Sequence, residues 1–81
     1  MGYHVNKIEK GVLGEASKIK EEFEEFWDGH LGQNKILELC ELADLIGAIE
    51  AYAKQQFNIG LTDIIVMTKA TERAFKDGTR K

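Results

Sequence analysis

KILELCELADLIGAIEAYAKQQF, residues 35–57, carries the strongest periodic signal in the chain. Ile36, Leu37, Leu39, Leu42, Leu45, Ile46, Ile49 and Tyr52 recur at the three- and four-residue spacing of an α-helix. Together they cover more than half of its circumference, and Ala43, Ala48, Ala51 and Ala53 permit close approach of a neighbour. Asn34 is suited to cap its start, and Asn58 and Gly60 end it. A helix this apolar requires cover on two sides. A chain of 81 residues can barely supply that cover. The expectation is a homo-oligomer, a dimer or a tetramer.

Two weaker helices flank it. Upstream, Ile19, Phe23, Phe26 and Trp27 define one apolar face of a helix from Glu15 or Ser17 to Asp28, with Gly29 and Gly32 in the following loop. Downstream, Thr62 or Asp63 can cap a helix to about Lys76, with Leu61, Ile64, Ile65, Thr68, Glu72 and Phe75 facing the core. Residues 3–10 read as a short helix or an extended arm, Gly11 and Gly14 bracket a turn, and the tail after Gly78 is expected to fray. The predicted fold is all-α: an antiparallel helical bundle of three main helices plus a short N-terminal element, one domain over residues 1–81, assembling as an oligomeric bundle. The absence of proline suits it.

Cys40 is the single cysteine, so no disulfide forms within the chain; in its apolar run it reads as a reduced, buried small hydrophobe. Neither a membrane-spanning stretch nor a signal-peptide pattern is visible, and a cytoplasmic setting is expected. The net charge is −3, unevenly placed: residues 1–45 hold 10 acids against 5 bases, and residues 46–81 hold 4 against 6. The small basic cluster of Lys69, Arg73, Lys76, Arg80 and Lys81, with no helix-turn-helix spacing, argues against nucleic-acid binding.

The acids carry the chemistry. EEFEE (residues 21–25) contains an E-x-x-E at Glu22 and Glu25, and ELAD (residues 41–44) an E-x-x-D at Glu41 and Asp44. Residues three apart share a helix face, so each couplet aims two carboxylates at one region. At about 100° per residue, Glu22 borders its helix's apolar face, Glu25 lies just outside it, and Glu21 and Glu24 point away. Glu41 falls inside the apolar face of the central helix, among Leu37, Leu45, Ala48 and Tyr52, with Glu38 about 60° away and Asp44 about 60° to the other side. Ionised carboxylates there require a counter-charge. Mg²⁺, with Mn²⁺ as a substitute, is the natural one, and it implies a phosphorylated substrate. The competing reading pairs Glu38 and Glu41 with lysine or arginine, and leaves Glu21 and Glu24 on a solvated face. His4 and His30 have no second ligand at metal spacing, and Glu15 reads as a helix-start acid. Phe26, Trp27 and Tyr52 could contact a ligand, but core packing is the commoner use of such residues.

This order and spacing of E-x-x-E and E-x-x-D on consecutive helices resembles the MazG-like, all-α nucleoside triphosphate pyrophosphohydrolases. The segments SKIKEEFEEF (17–26) and ELCELADLIGAIEAY (38–52) look most like small phage-type members. The resemblance covers roughly residues 14–57. It implies Mg²⁺ held by Glu22, Glu25, Glu41 and Asp44, and cleavage of a nucleoside triphosphate to monophosphate and pyrophosphate. Glu38 or Glu21 would serve as general base. Lys69, Arg73 and Lys76, on one stripe of the last helix, are candidates to hold the phosphates, although a solvated basic face is the more frequent use of such a stripe. Departures are Cys40 just before the E-x-x-D, where many members have Glu, and Lys69 or Thr71 near a position where many have Asn. The alternative is a non-catalytic helical oligomer, acting as a nucleotide-binding or protein-interaction module.

Overall fold

The computed structural model describes residues 7–76, and the side chains of all of these except Ala74 and Phe75. His4, residues 3–6 of the expected N-terminal element, Arg80, Lys81 and the tail after Gly78 lie outside the described residues, as does the Phe75 side chain. Three helices follow in order: α1 over Ala16–Leu31, α2 over Lys35–Phe57 and α3 over Leu61–Lys76. No strand occurs among the described residues, so the chain is all-α.

The predicted capping chemistry sets α2. Asn34 is extended, and its side chain accepts a hydrogen bond from the Leu37 N–H at 3.0 Å. Asn58 at the other end takes a left-handed backbone with φ of 56°, and its N–H satisfies late carbonyls of the helix. Residues 32–34 are too short a connection for anything but an antiparallel return. The far end agrees: the Gln56 amide donates to the Gly14 carbonyl at 3.3 Å, which places the end of α2 beside the start of α1.

Both flanking helices are longer than the sequence suggests. Gly29, expected in a loop, lies buried inside α1, which continues to Leu31. A Cβ on Gly29 would stand 3.5 Å from Leu37, an ordinary contact distance, so this position lies directly against α2. α3 begins at Leu61, because Asp63 caps from within by accepting the Gly60 N–H at 3.2 Å.

The packing is inverted relative to expectation. The seam of α1 against α2 runs along Glu22, Glu25 and Gly29, not along the stripe of Phe23 and Trp27. Among the described residues the only buried apolar side chains are Ala48 and Ala53, while Glu21, Glu22, Asp28 and Glu41 are buried. Phe23 and Trp27 stack on each other about half exposed. On α2, Ile36 (80% exposed), Leu39 (68%), Leu42 and Ile46 face outward. Cys40 is exposed on that side too, which corrects the buried-hydrophobe expectation. α3 makes little contact with α2 and none with α1, and leaves Ile65, Val66 and Met67 exposed. No helix among the described residues is long and apolar enough to cross a membrane.

Candidate metal centre

The antiparallel pairing of α1 and α2 brings the two acidic couplets together. Glu22, Glu41 and Asp44 each offer a carboxylate oxygen within 4.8 Å of the others, and so do Glu21, Glu22 and Glu25. Glu22 belongs to both groups and joins them. Glu22 is 6% exposed and Glu41 4%, whereas Asp44 opens to solvent. The four residues expected to hold a metal therefore all belong to one acidic centre between the helices.

Glu21 corrects the wheel reading. It was expected on the solvated side, yet it is 2% exposed. The backbone before α1 folds over it: the Gly11 N–H donates to Glu21 Oε1 at 2.8 Å, and the Val12 N–H donates to Ser17 Oγ at 3.0 Å. Gly11 is required for that crossing, since a Cβ would collide with the backbone of Ser17 and Lys18. Lys18 supplies the cation. Its ammonium lies 3.1 Å from Glu21 Oε1 and 3.0 Å from Glu22 Oε2, while Lys10 approaches Glu21 Oε2 from solvent at 3.6 Å.

Electrostatics separate the two acids that share this corner. Burial pushes the Glu21 carboxyl up, but hydrogen bonds from Gly11, Glu25 and Lys18 outweigh it and leave it at about 2. Burial pushes Glu25 up to about 7, aided by its hydrogen bond to Glu21 and by the charges of Glu22 and Glu41. Below about pH 7 Glu25 therefore holds its proton, which it donates in its hydrogen bond to Glu21. Lys18 is raised, chiefly by its hydrogen bonds to Glu22 and Glu21.

One oxygen of this centre lacks compensation. Glu22 Oε1 is buried and accepts no hydrogen bond. A desolvated carboxylate oxygen without a partner is strongly unfavourable, and here it lies in the acidic centre. The donor set is all oxygen, which suits a hard divalent cation such as Mg²⁺ or Mn²⁺.

Other predicted residues lie apart. Glu38 is half-buried one turn from Glu41, with His30 Nδ1 at 3.4 Å from its Oε2 and Lys35 Nζ at 3.6 Å from its Oε1, and it joins neither carboxylate group. Its Oε1 also accepts no hydrogen bond. His30, read from the sequence as a surface or loop residue, lies in the last turn of α1 beside Glu38. Lys69, Arg73 and Lys76 are exposed on α3, where Lys76 pairs with Glu72 at 3.8 Å. Since α3 does not touch α1, the chain does not bring this basic stripe to the carboxylates. Tyr52 meets Phe57 edge-on at 6.0 Å. Sequence reasoning overlooked Lys18, although its position three and four residues before Glu21 and Glu22 is the spacing of helical ion pairs. Compared with known proteins, the chain matches no family model, no curated protein and no solved structure.

Proposed function

We propose that this chain is a Mg²⁺-dependent nucleoside triphosphate pyrophosphohydrolase of the MazG-like kind. Glu22, Glu25, Glu41 and Asp44 would hold the metal, and the substrate would be a nucleoside or deoxynucleoside triphosphate. The observation that carries the reading is the unpartnered, buried Glu22 Oε1 at the junction of two carboxylate triads. Glu38 Oε1 also lacks a hydrogen bond, but it stands beside Lys35 and outside both carboxylate groups, whereas Glu22 Oε1 belongs to the residue that joins them.

When bound, Mg²⁺ supplies charge neutralisation at the phosphates and activation of water. The residues of the chain position that chemistry. Glu22 and Glu41, fixed on rigid helices, set the ligand geometry; Asp44, open to solvent, marks the side from which a triphosphate approaches. Of the two expected bases, Glu21 is poorly suited, because it is engaged by Gly11 and Lys18 and is strongly acidic. Glu38 fits better: its Oε1 has no hydrogen-bond donor and it stands one turn from Glu41. The basic stripe of Lys69, Arg73 and Lys76 can serve phosphates only from another subunit.

That subunit is part of the proposal. The outward stripe of Ile36, Leu39, Leu42 and Ile46 continues past Ala43 and Gly47, where an added Cβ would meet nothing. Four large apolar side chains on one helix face exceed what a monomer ordinarily leaves contiguous. A second copy of the chain, equally apolar along the same stripe, covers it in a homo-oligomer. A cytoplasmic setting supplies both Mg²⁺ and nucleotide.

The test is direct. The purified chain is incubated with Mg²⁺ and a panel of nucleoside and deoxynucleoside triphosphates, and monophosphate and pyrophosphate are measured. Formation of both in equal amounts, lost on chelation and in Glu41→Ala, is the expected result. Metal-dependent binding of nucleotide without pyrophosphate release would leave the nucleotide-binding module in its place.

A further inference from the structure

Lys18 occupies an unusual position for a surface lysine. Its ammonium lies almost equally far, at 3.1 and 3.0 Å, from one oxygen of Glu21 and one of Glu22. Those residues belong to the carboxylate triads, and Glu22 belongs to both. The side chain is about a quarter exposed, so it reaches in from the edge of the seam and has a way out. Lys10, by contrast, touches only the outer oxygen of Glu21 and is almost fully exposed.

The compensation that Lys18 provides is incomplete. An ammonium has three N–H donors. Two are spent on Glu21 and Glu22, and Glu22 Oε1 still receives none. Among the described residues Lys18 is the inner ammonium that reaches Glu21 and Glu22. A divalent ion at the open Glu22 Oε1 would bring twice the charge and a full coordination shell. It would then share one carboxylate with the ammonium on Oε2, and the repulsion between two cations that close in a partly desolvated site is large.

We propose that Lys18 is an internal placeholder cation: it holds Glu21 and Glu22 in ligand geometry before metal arrives, and a divalent cation binds by displacing its ammonium toward solvent. This rests on the metal reading above and adds a residue to it. Loading is then an exchange of cations, and metal affinity is set as much by how firmly Lys18 is held as by the carboxylates. The site is kept folded at low metal concentration, and is filled only when the divalent ion outcompetes an ammonium already in place.

Calorimetric titration with Mn²⁺ alone, without nucleotide, tests this on the wild-type chain, Lys18→Met and Lys18→Arg. Lys18→Met keeps the stem and removes the competing charge. It should bind Mn²⁺ about tenfold more tightly, the size of one lost charge-assisted hydrogen bond, while its metal-free unfolding midpoint falls. Lys18→Arg should keep the fold and bind Mn²⁺ equally or more weakly, since a guanidinium grips two carboxylates bidentately and is harder to displace. Wild-type binding with equal or weaker binding by Lys18→Met would overturn the placeholder role and leave the metal site standing. Tighter binding by Lys18→Arg than by wild type would do the same, and decides the matter if Lys18→Met fails to fold. No Mn²⁺ binding by any of the three removes the metal reading, and the placeholder with it.

Discussion

Glu25→Gln should make the metal-free protein more stable while abolishing its response to metal. Glu25 is pushed up to about 7, first by burial and then by its acidic neighbours. Its folded value lies above its unfolded one, so the folded state binds the extra proton between about pH 4.5 and pH 7. Stability of the wild type therefore falls as pH rises through that window and levels off above it. A rise from 4.5 to about 7 corresponds to roughly 3 kcal/mol at 1.36 kcal/mol per unit. Glu25 is partly exposed, and solvent screening reduces this to about 2 kcal/mol. Glutamine mimics the protonated acid and still donates to Glu21, but it cannot ionise. The variant should match the wild type near pH 4 and exceed it by about 2 kcal/mol near pH 8, roughly 10 °C in midpoint for a domain of this size. Glu21, held at about 2, does not confuse the comparison, because its stabilisation is complete above its unfolded value and is lost only as pH falls from about 4.5 toward 2. The assay is thermal unfolding in chelator at fixed protein concentration across this range, repeated with millimolar Mg²⁺. A variant less stable than wild type at pH 8, or equally stabilised at both pH values, would refute the assignment of a buried, reluctantly ionised Glu25.

Three further outcomes are expected. Millimolar Mg²⁺ or Mn²⁺ should raise the unfolding midpoint of the wild type and leave Glu41→Ala unmoved; a rise in Glu41→Ala that matches the wild type would place the metal elsewhere. Leu39→Glu, on the outward face of α2, should shift the chain to monomer in sedimentation while helical circular dichroism is largely kept at high concentration; an unchanged mass would mean that this stripe is not the contact. Asn34→Ala removes the hydrogen bond to the Leu37 N–H and should lower stability by about 1 kcal/mol in denaturant titration, without altering metal binding.

Much of the fold was legible because its signals are local. The bounds of α2 follow from its periodicity and from Asn34 and Asn58, each of which acts through its own backbone neighbours. Glu22, Glu25, Glu41 and Asp44 were legible as a group because three-residue spacing fixes a shared face. Glu21 was not, because its burial comes from the Gly11 segment crossing α1, a contact between residues ten apart that no helical wheel contains. Gly29 reads as a breaker locally, but it is buried inside α1 beside Leu37, a contact between helices that its local sequence does not contain. Phe23, Trp27 and Cys40 were assigned to a core on the assumption that apolar faces pack within the chain, whereas here the carboxylates take the seam between α1 and α2.

That inversion separates the two demands the sequence places on α2. At about 100° per residue, Glu41 lies roughly 160° around the helix from Leu39, across a cylinder about 10 Å wide. The proposed metal centre and the proposed association stripe therefore lie on opposite faces of one rigid element and share no side chain. Substitutions that far apart without common partners combine additively. The double variant Glu41→Ala with Leu39→Glu should lose metal stabilisation as fully as the first alone and dissociate as fully as the second alone. A strong departure from additivity in unfolding free energy, measured in a full cycle with and without Mg²⁺, would show instead that the partner subunit reaches the carboxylates, and that the centre is shared between chains.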